Sequence, residues 1–322
     1  MARRRSGSSR RRWLAGLLLL AALVAAVLLE PELRRIGPAR DEGVAPAYDH
    51  DRFGTLPREQ FRPFAAFVVS FDGDDDDSGD GVADTLAVPQ WVAYELRRQE
   101  GPLHPGKRPS RWTTDPELFA LGLAPDDDSY QYPAAFRVLH PDWYVRGHLA
   151  MKFHAERLGP EAGRETHTLL NAVPQRPGFN GGIWQDLECL TAAWADHYGR
   201  VWIITGPIFR DRTPHDWLGE PAREERRVAI PDALFKVVVR QTGERDRPAV
   251  LGFVYPQEDP AYVDRPYPHA RFLASVNAIE AATGLNLLAE LPVAAQERVE
   301  AAAATALWPR PRGLADGNCG AP

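Results

Sequence analysis

Asn180, Trp184 and Glu188 stand four apart in the run Asn180-Gly181-Gly182-Ile183-Trp184-Gln185-Asp186-Leu187-Glu188. Side chains at that spacing share one face of an α-helix. A helix beginning near Asn180 would hold an amide at its first turn and a carboxylate about two turns later. Gly181 and Gly182 let the backbone pass close to a ligand. Upstream, Trp143-Tyr144-Val145-Arg146-Gly147-His148-Leu149-Ala150 sets a cation, a glycine and an imidazole side by side. Asn171-Ala172-Val173-Pro174-Gln175 lies between the two. A fold that uses all of these brings a histidine on an extended segment up to a helix carrying an amide and a carboxylate.

Phosphodiester hydrolysis wants this set. It needs a base to activate water, a divalent cation at the phosphate and leaving oxygen, and cationic help in the transition state. His148 suits the first task. A hard cation such as Mg²⁺ takes oxygen ligands and keeps most of its waters. One amide oxygen and one carboxylate acting through water are then enough.

The stretch resembles the DNA/RNA non-specific endonucleases, the ββα-metal or His-Me-finger group to which endonuclease G belongs. That group's signature reads Asp-Arg-Gly-His, then Asn-x-x-Pro-Gln, then Asn-x-x-x-Trp-x-x-x-Glu. The chain matches it at Arg146, Gly147, His148, Asn171, Pro174, Gln175, Asn180, Trp184, Leu187 and Glu188, and departs from it at Val145, where the usual residue is Asp. The departure leaves base and metal ligand in place and bears on rate and metal hydration. The resemblance covers about residues 62–290 as one domain. It implies His148 as general base and Asn180 as ligand to Mg²⁺ or Mn²⁺. Glu188 acts through water, Arg146 assists at the phosphate, and Asn171 hydrogen-bonds within the site. It also implies DNA and RNA as substrates, and an arginine from the loop Lys107-Arg108-Pro109-Ser110-Arg111-Trp112 at the scissile phosphate. Guanidinium suits that task because it is planar, always charged and bidentate. Arg108 and Arg111 both qualify.

The rest of the chain is read around that domain. Residues 1–12 are Arg-rich, and residues 13–29 form an uncharged apolar run. That run is at the short limit for a membrane span and also has the form of a signal peptide. Its end, Val27-Leu28-Leu29-Glu30-Pro31, is a poor cleavage site, which favours an uncleaved anchor. The positive segment stays in the cytoplasm. The remainder is then exported, tethered to the inner membrane and facing the periplasm or cell exterior, or secreted if the segment is cleaved. Residues 30–61, rich in Pro, Gly and charge, read as a linker, and residues 291–322 as a final helix with a loose tail. Asp76, Ser78, Asp80 and Asp84 fall at calcium-loop positions, although the twelfth position is Ala87 instead of the bidentate Glu. They form either a weak structural Ca²⁺ site or a solvated acidic turn. His154 and Arg157 read as surface or groove residues, Cys189 as a packing residue, and His167 takes no role.

Apolar segments at 64–71, 90–96, 200–209, 230–239 and 249–254 read as strands, and 186–199 and 275–283 as helices. The fold class expected is α+β, a largely antiparallel central sheet flanked by helices and containing a ββα-metal finger. Two cysteines exclude a disulfide scaffold and a cysteine-rich zinc site. A net charge of −6 gives no global basic field, so a nucleic acid would be met by a local Arg/Lys lining. The expected function is an exported, metal-dependent, sugar-non-specific endonuclease. The alternative is a catalytically weakened, membrane-tethered nucleic-acid-binding module of the same fold. A calcium-stabilised structural protein is the third reading and leaves the Asn180/Glu188 register unexplained.

Overall fold

The computed structural model describes residues 47–73, 85–131, 143–243, 247–259, 262 and 265–309. In chain order the strands are β1 (Thr55–Leu56), β2 (Gln60–Pro63), β3 (Val68–Phe71), β4 (Pro89–Arg97), β5 (Val145–His148), β6 (Ala172–Gln175), β7 (Arg200–Ile208), β8 (Asp216–Leu218), β9 (Val228–Ile230), β10 (Ala233–Arg240), β11 (Ala249–Pro256), β12 (Leu273–Ala274) and β13 (Asn286–Leu287). The α-helices that matter here are α1 (Pro116–Ala120), α2 (Lys152–Ala155), α3 (Pro160–Glu165), α4 (Gln185–Tyr198), α5 (Val276–Thr283) and α6 (Val293–Glu300).

Seven strands form one antiparallel sheet in the order β12-β11-β10-β7-β4-β3-β2. Its central strands are rich in β-branched and aromatic residues and are covered on both faces, so their side chains alternate between two cores. Val92, Tyr94, Val201, Ile203, Leu234 and Val238 point to one core, where Leu187, Leu190 and Trp194 of α4 pack. Trp91, Ala93, Trp202, Ile204, Phe235, Val237 and Val239 point to the other, against Val276 and Ile279 of α5 and Leu285, Leu287 and Leu288. Ser275 caps α5 by accepting from Ala278 N, and Gly284 closes it in the left-handed region at φ 79°.

Strands β5 and β6 form a separate antiparallel hairpin, with His148 opposite Ala172. The chain then runs through a helical turn (Pro177–Phe179) and a π-turn (Asn180–Trp184) into α4. This is the expected ββα arrangement, laid on one face of the large sheet.

Two segments differ from the sequence reading. Residues 48–61, read as linker, belong to the fold: β1 pairs with β13 and β2 with β3. The pairing partner of β1 lies far downstream, so local composition carries no sign of it. The Ala-rich C-terminal stretch is helical only over Val293–Glu300. The acidic loop with Asp76, Ser78, Asp80 and Asp84 lies outside the described residues, as do the N-terminal segments 1–12 and 13–29. Among the described residues no helix is long and apolar enough to cross a membrane.

Candidate active site

His148 ends β5 at the mouth of a cleft of about 430 Å³, lined also by Arg108, Trp112, Arg146, Lys152, Asn180 and Glu188. The hairpin is shaped so that the imidazole arrives there. Gly147 lies under the Gln175 carboxamide, and a Cβ at Gly147 would overlap it. Asn171 then fixes the chain just past the histidine. Its Oδ1 accepts from Ala150 N at 2.7 Å, and its Nδ2 donates to Ala150 O at 2.9 Å and Thr166 O at 3.0 Å. With those bonds made and no surface exposed, Asn171 positions the loop and does not face the cleft. Of the roles expected for it, these bonds correspond to positioning the chain beside His148.

The spacing Asn180, Trp184, Glu188 does not give one helix face. The chain passes Asn180–Trp184 as a π-turn in which Gly182 leaves helical geometry at φ −108°, ψ −114°. The wider turn rotates the register. Asn180 and Glu188 line the cleft, while Trp184 turns into the core. There its Nε1 donates to His148 O at 3.4 Å, and Lys236 Nζ sits 4.1 Å from its ring centroid.

Electrostatics around His148 favour the neutral ring. Burial lowers its pKa well below the ordinary imidazole value, and His167, Arg108, Lys152 and Arg146 push in the same direction. Its Nε2 is buried with no hydrogen-bond partner among the described residues. The ring packs between Trp112, at a centroid distance of 4.4 Å, and His167, at 4.9 Å. A neutral imidazole at a cleft mouth can take a proton.

Glu188 is nearly buried, and its carboxyl is pushed up to about 7 by desolvation, with Lys236 opposing. Lys236 Nζ lies 3.7 Å from Glu188 Oε1 and is fully buried. Sequence reasoning missed this lysine, although a single charge inside the apolar run Phe235–Val239 was a readable signal. His154 is buried too, contrary to expectation. Its Nε2 donates to Glu188 O at 3.1 Å, and the Tyr94 hydroxyl donates to its Nδ1 at 3.1 Å. Arg157 likewise turns inward, to Asp196 at 2.8 Å and Arg97 O at 2.6 Å. Asp186, beside Glu188 in sequence, accepts from His269 Nε2 at 3.0 Å, and Tyr255 donates to His269 Nδ1 at 2.8 Å. This network ties α4 to β11. Cys189 is buried and disulfide-bonded.

The two candidate loop arginines separate. Arg108 lines the cleft and is in no ion pair among the described residues. Arg111 faces outward and is engaged by Asp128 at 2.6 Å. Arg146 also lines the cleft, paired with the buried Asp127 and stacked 5.4 Å from the Trp112 centroid. Lys152 is held by Glu156.

Among the described residues no group of three or more His, Cys, Asp and Glu forms a metal cage. Oxygen donors lining the cleft include the Asn180 carboxamide and the Glu188 carboxylate, whose buried Oε1 makes no hydrogen bond among the described residues and lies 3.7 Å from Lys236 Nζ. Both are hard oxygen donors, and they fit an ion that keeps most of its water.

The sequence profile of the DNA/RNA non-specific endonuclease family matches residues 80–294. Mitochondrial nuclease EXOG of Mus musculus is 27% identical over 207 residues, covering 62% of this chain and 51% of that protein. Mitochondrial endonuclease G of Homo sapiens is 30% identical over 202 residues, covering 61% of this chain and 62% of that one. The chain thus spans about half to three-fifths of the length of these relatives. A chain of the crystal structure of the EndoG/EndoGI complex, which addresses EndoG inhibition, aligns with a TM-score of 0.55 at 20% identity. The alignment covers 76% of this chain and 91% of that one, and it speaks to the fold.

Proposed function

The chain belongs to the DNA/RNA non-specific endonuclease family, and from that premise we propose that it hydrolyses phosphodiester bonds of DNA and RNA in the cleft between the β5–β6 hairpin and α4. The observation that carries the reading is the neutral His148 ring at the mouth of a cleft that also holds Asn180, Glu188 and Arg108. With Nε2 turned inward, Nδ1 is the nitrogen offered to a cleft water. His148 accepts the proton of that water as its oxygen attacks phosphorus; the P–O3′ bond breaks and the 3′ oxygen leaves, taking a proton from solvent. Arg108, helped by Arg146, bonds the non-bridging oxygens as charge builds on them. Asn180 and Glu188 would hold a divalent cation such as Mg²⁺ or Mn²⁺, Glu188 through water. Such an ion supplies Lewis-acid stabilisation of the phosphate and leaving oxygens. Asn171, Trp184 and Gln175 keep the hairpin and helix in place. By family analogy the products carry 5′-phosphates.

We further propose that the domain works outside the cytoplasm, on an N-terminal anchor at residues 13–29 or after its removal. The Arg-rich start and apolar run support this. So does the disulfide at Cys189, which suits an oxidising compartment.

Cleavage of plasmid DNA and of RNA by the purified chain in Mg²⁺, beside His148→Ala, tests the reading. A general base contributes about 10²–10⁴-fold. His148→Ala should lose at least that while still binding nucleic acid. An unchanged rate in the variant sinks the assignment, and a wild-type chain that binds without cutting points to the binding-module alternative.

A further inference from the structure

His167 is a second imidazole that the reaction as described does not use. It lies at the start of the segment leading into β6, and it is almost wholly buried. Neither ring nitrogen makes a well-formed hydrogen bond among the described residues, although the Arg164 and Gly163 carbonyls lie near enough to favour a proton on the ring. Its ring stands edge-on to His148, centroids 4.9 Å apart and planes at 90°, and 5.1 Å from Trp112. The backbone under it is pinned: His167 N donates to Arg164 O at 3.0 Å, and His167 O accepts from Thr113 N at 3.0 Å.

Nε2 of His148, buried and without a partner among the described residues, thus belongs to a ring that stands beside the buried ring of His167. Native structures rarely leave a buried polar group unpaired without a reason. A linear N–H···N bond between two imidazoles puts their centroids about 5 Å apart. The observed centroid separation of 4.9 Å is compatible with such a bond.

We propose that His167 is the positioning residue that fixes the tautomer of His148. A lone pair on His167 accepts the Nε2–H of His148, so Nδ1 stays unprotonated toward the cleft. When Nδ1 takes the proton of the attacking water, His148 becomes an imidazolium. The Nε2 proton remains on His148, and its bond to His167 strengthens. Which nitrogen of a histidine is basic is set by the bond the other one makes. The hairpin supplies no carboxylate for this task, because Val145 stands where the signature has Asp. Burial lowers the pKa of His167, which keeps a lone pair available.

The inference rests on the proposed role of His148, so the test separates the two. In the metal-free, substrate-free full chain labelled with ¹⁵N-histidine, NMR should show His148 as the Nε2–H tautomer, with a coupling across the hydrogen bond to a His167 nitrogen. His167→Phe keeps an aromatic ring in the stack and removes the acceptor. It should give a mixed His148 tautomer and lower kcat on plasmid DNA in Mg²⁺ by about tenfold, the low end for loss of an orienting partner, with KM unchanged. His167→Gln, which restores an acceptor oxygen, should recover most of the rate. An Nδ1–H His148 in the wild type, an unchanged kcat in His167→Phe, or a Gln variant as slow as the Phe variant each overturns the proposal. Should the Phe variant fail to fold, the wild-type spectrum decides: the coupling supports the pairing and its absence overturns it. If His148→Ala cleaves as fast as wild type, the nuclease role of His148 fails, while the tautomer spectrum still reports on the pairing by itself.

Discussion

The two faces of the seven-stranded sheet are built from the same strands and from different chemistry. The face under α5 buries Trp91, Trp202, Phe235, Val237 and Ile279. The face under α4 belongs to the larger apolar cluster, and it also carries Lys236, Glu188, His154 and Tyr94, with Asp186 and His269 beside them. In β10 the change takes one residue: Phe235 and Val237 go one way and Lys236 the other. A hydrophobic face needs only volume and shape. A face with buried charge needs each group partnered, so it fixes orientation at a cost in stability. Both sides hold the fold together, and the α4 side also carries the buried polar groups next to the cleft.

The comparison breaks first at Asn180→Ala. This removes the carboxamide proposed as the direct metal ligand, so Mg²⁺ affinity should fall by more than the about 10–100-fold seen for lost outer-shell partners. Cleavage at fixed Mg²⁺ should fall with it, and the melting temperature should hold. Calorimetric Mg²⁺ titration checks this, and an unchanged affinity would move the metal elsewhere. On the opposite face, Ile279→Ala should cost about 2–5 kcal/mol of stability. Denaturant unfolding measures that cost, while the rate per folded molecule stays at the wild-type value. A slowed rate in fully folded Ile279→Ala would mean the two faces are not separable.

The site was legible where chemistry shows as short spacing. Arg146, His148, Asn180 and Glu188 all reach the cleft as expected. It was illegible where a turn or a distant partner decides. Trp184 left the helix face because Gly182 opens a π-turn, which i,i+4 counting cannot see. Asn171, His154 and Arg157 each bond to groups distant in the chain, Asn171 to Ala150, so their burial has no local signature. Arg108 lines the cleft while Arg111 pairs with Asp128, a difference made by a residue distant in sequence. The strands read well because apolar runs covered on both sides are unmistakable. Strand β1 did not, since two residues paired with β13 carry no period.

A smaller effect sharpens the contrast in pH. Burial holds the Glu188 carboxyl at about 7 in the fold against an ordinary 4.5. Below 4.5 the group is neutral in both folded and unfolded chains. As pH rises from 4.5 through 7, the unfolded chain loses the proton first, so metal-free protein should lose stability across that window. Glu188→Gln should flatten this part of the melting-temperature profile, whereas Ile279→Ala should shift the whole profile down without changing its shape. A wild-type profile flat between pH 5 and pH 7 would contradict the burial argument. The least effect is expected at Asp76, Asp80 and Asp84, which precede the catalytic stretch in sequence. If that loop binds Ca²⁺, ten times the Kd adds about 1.4 kcal/mol of stability with no change in cleavage. Thermal melts in Ca²⁺ and in Mg²⁺ separate a calcium site from an acidic turn.

The central claim is that the cleft between hairpin and α4 carries both the base and the cation. Anomalous scattering from crystals of the chain soaked in Mn²⁺ tests it directly. The account predicts a peak beside the Asn180 carboxamide, on the cleft side of Glu188 and facing His148. A peak elsewhere with none in the cleft, in crystals whose protein still cleaves DNA in Mn²⁺, would contradict it.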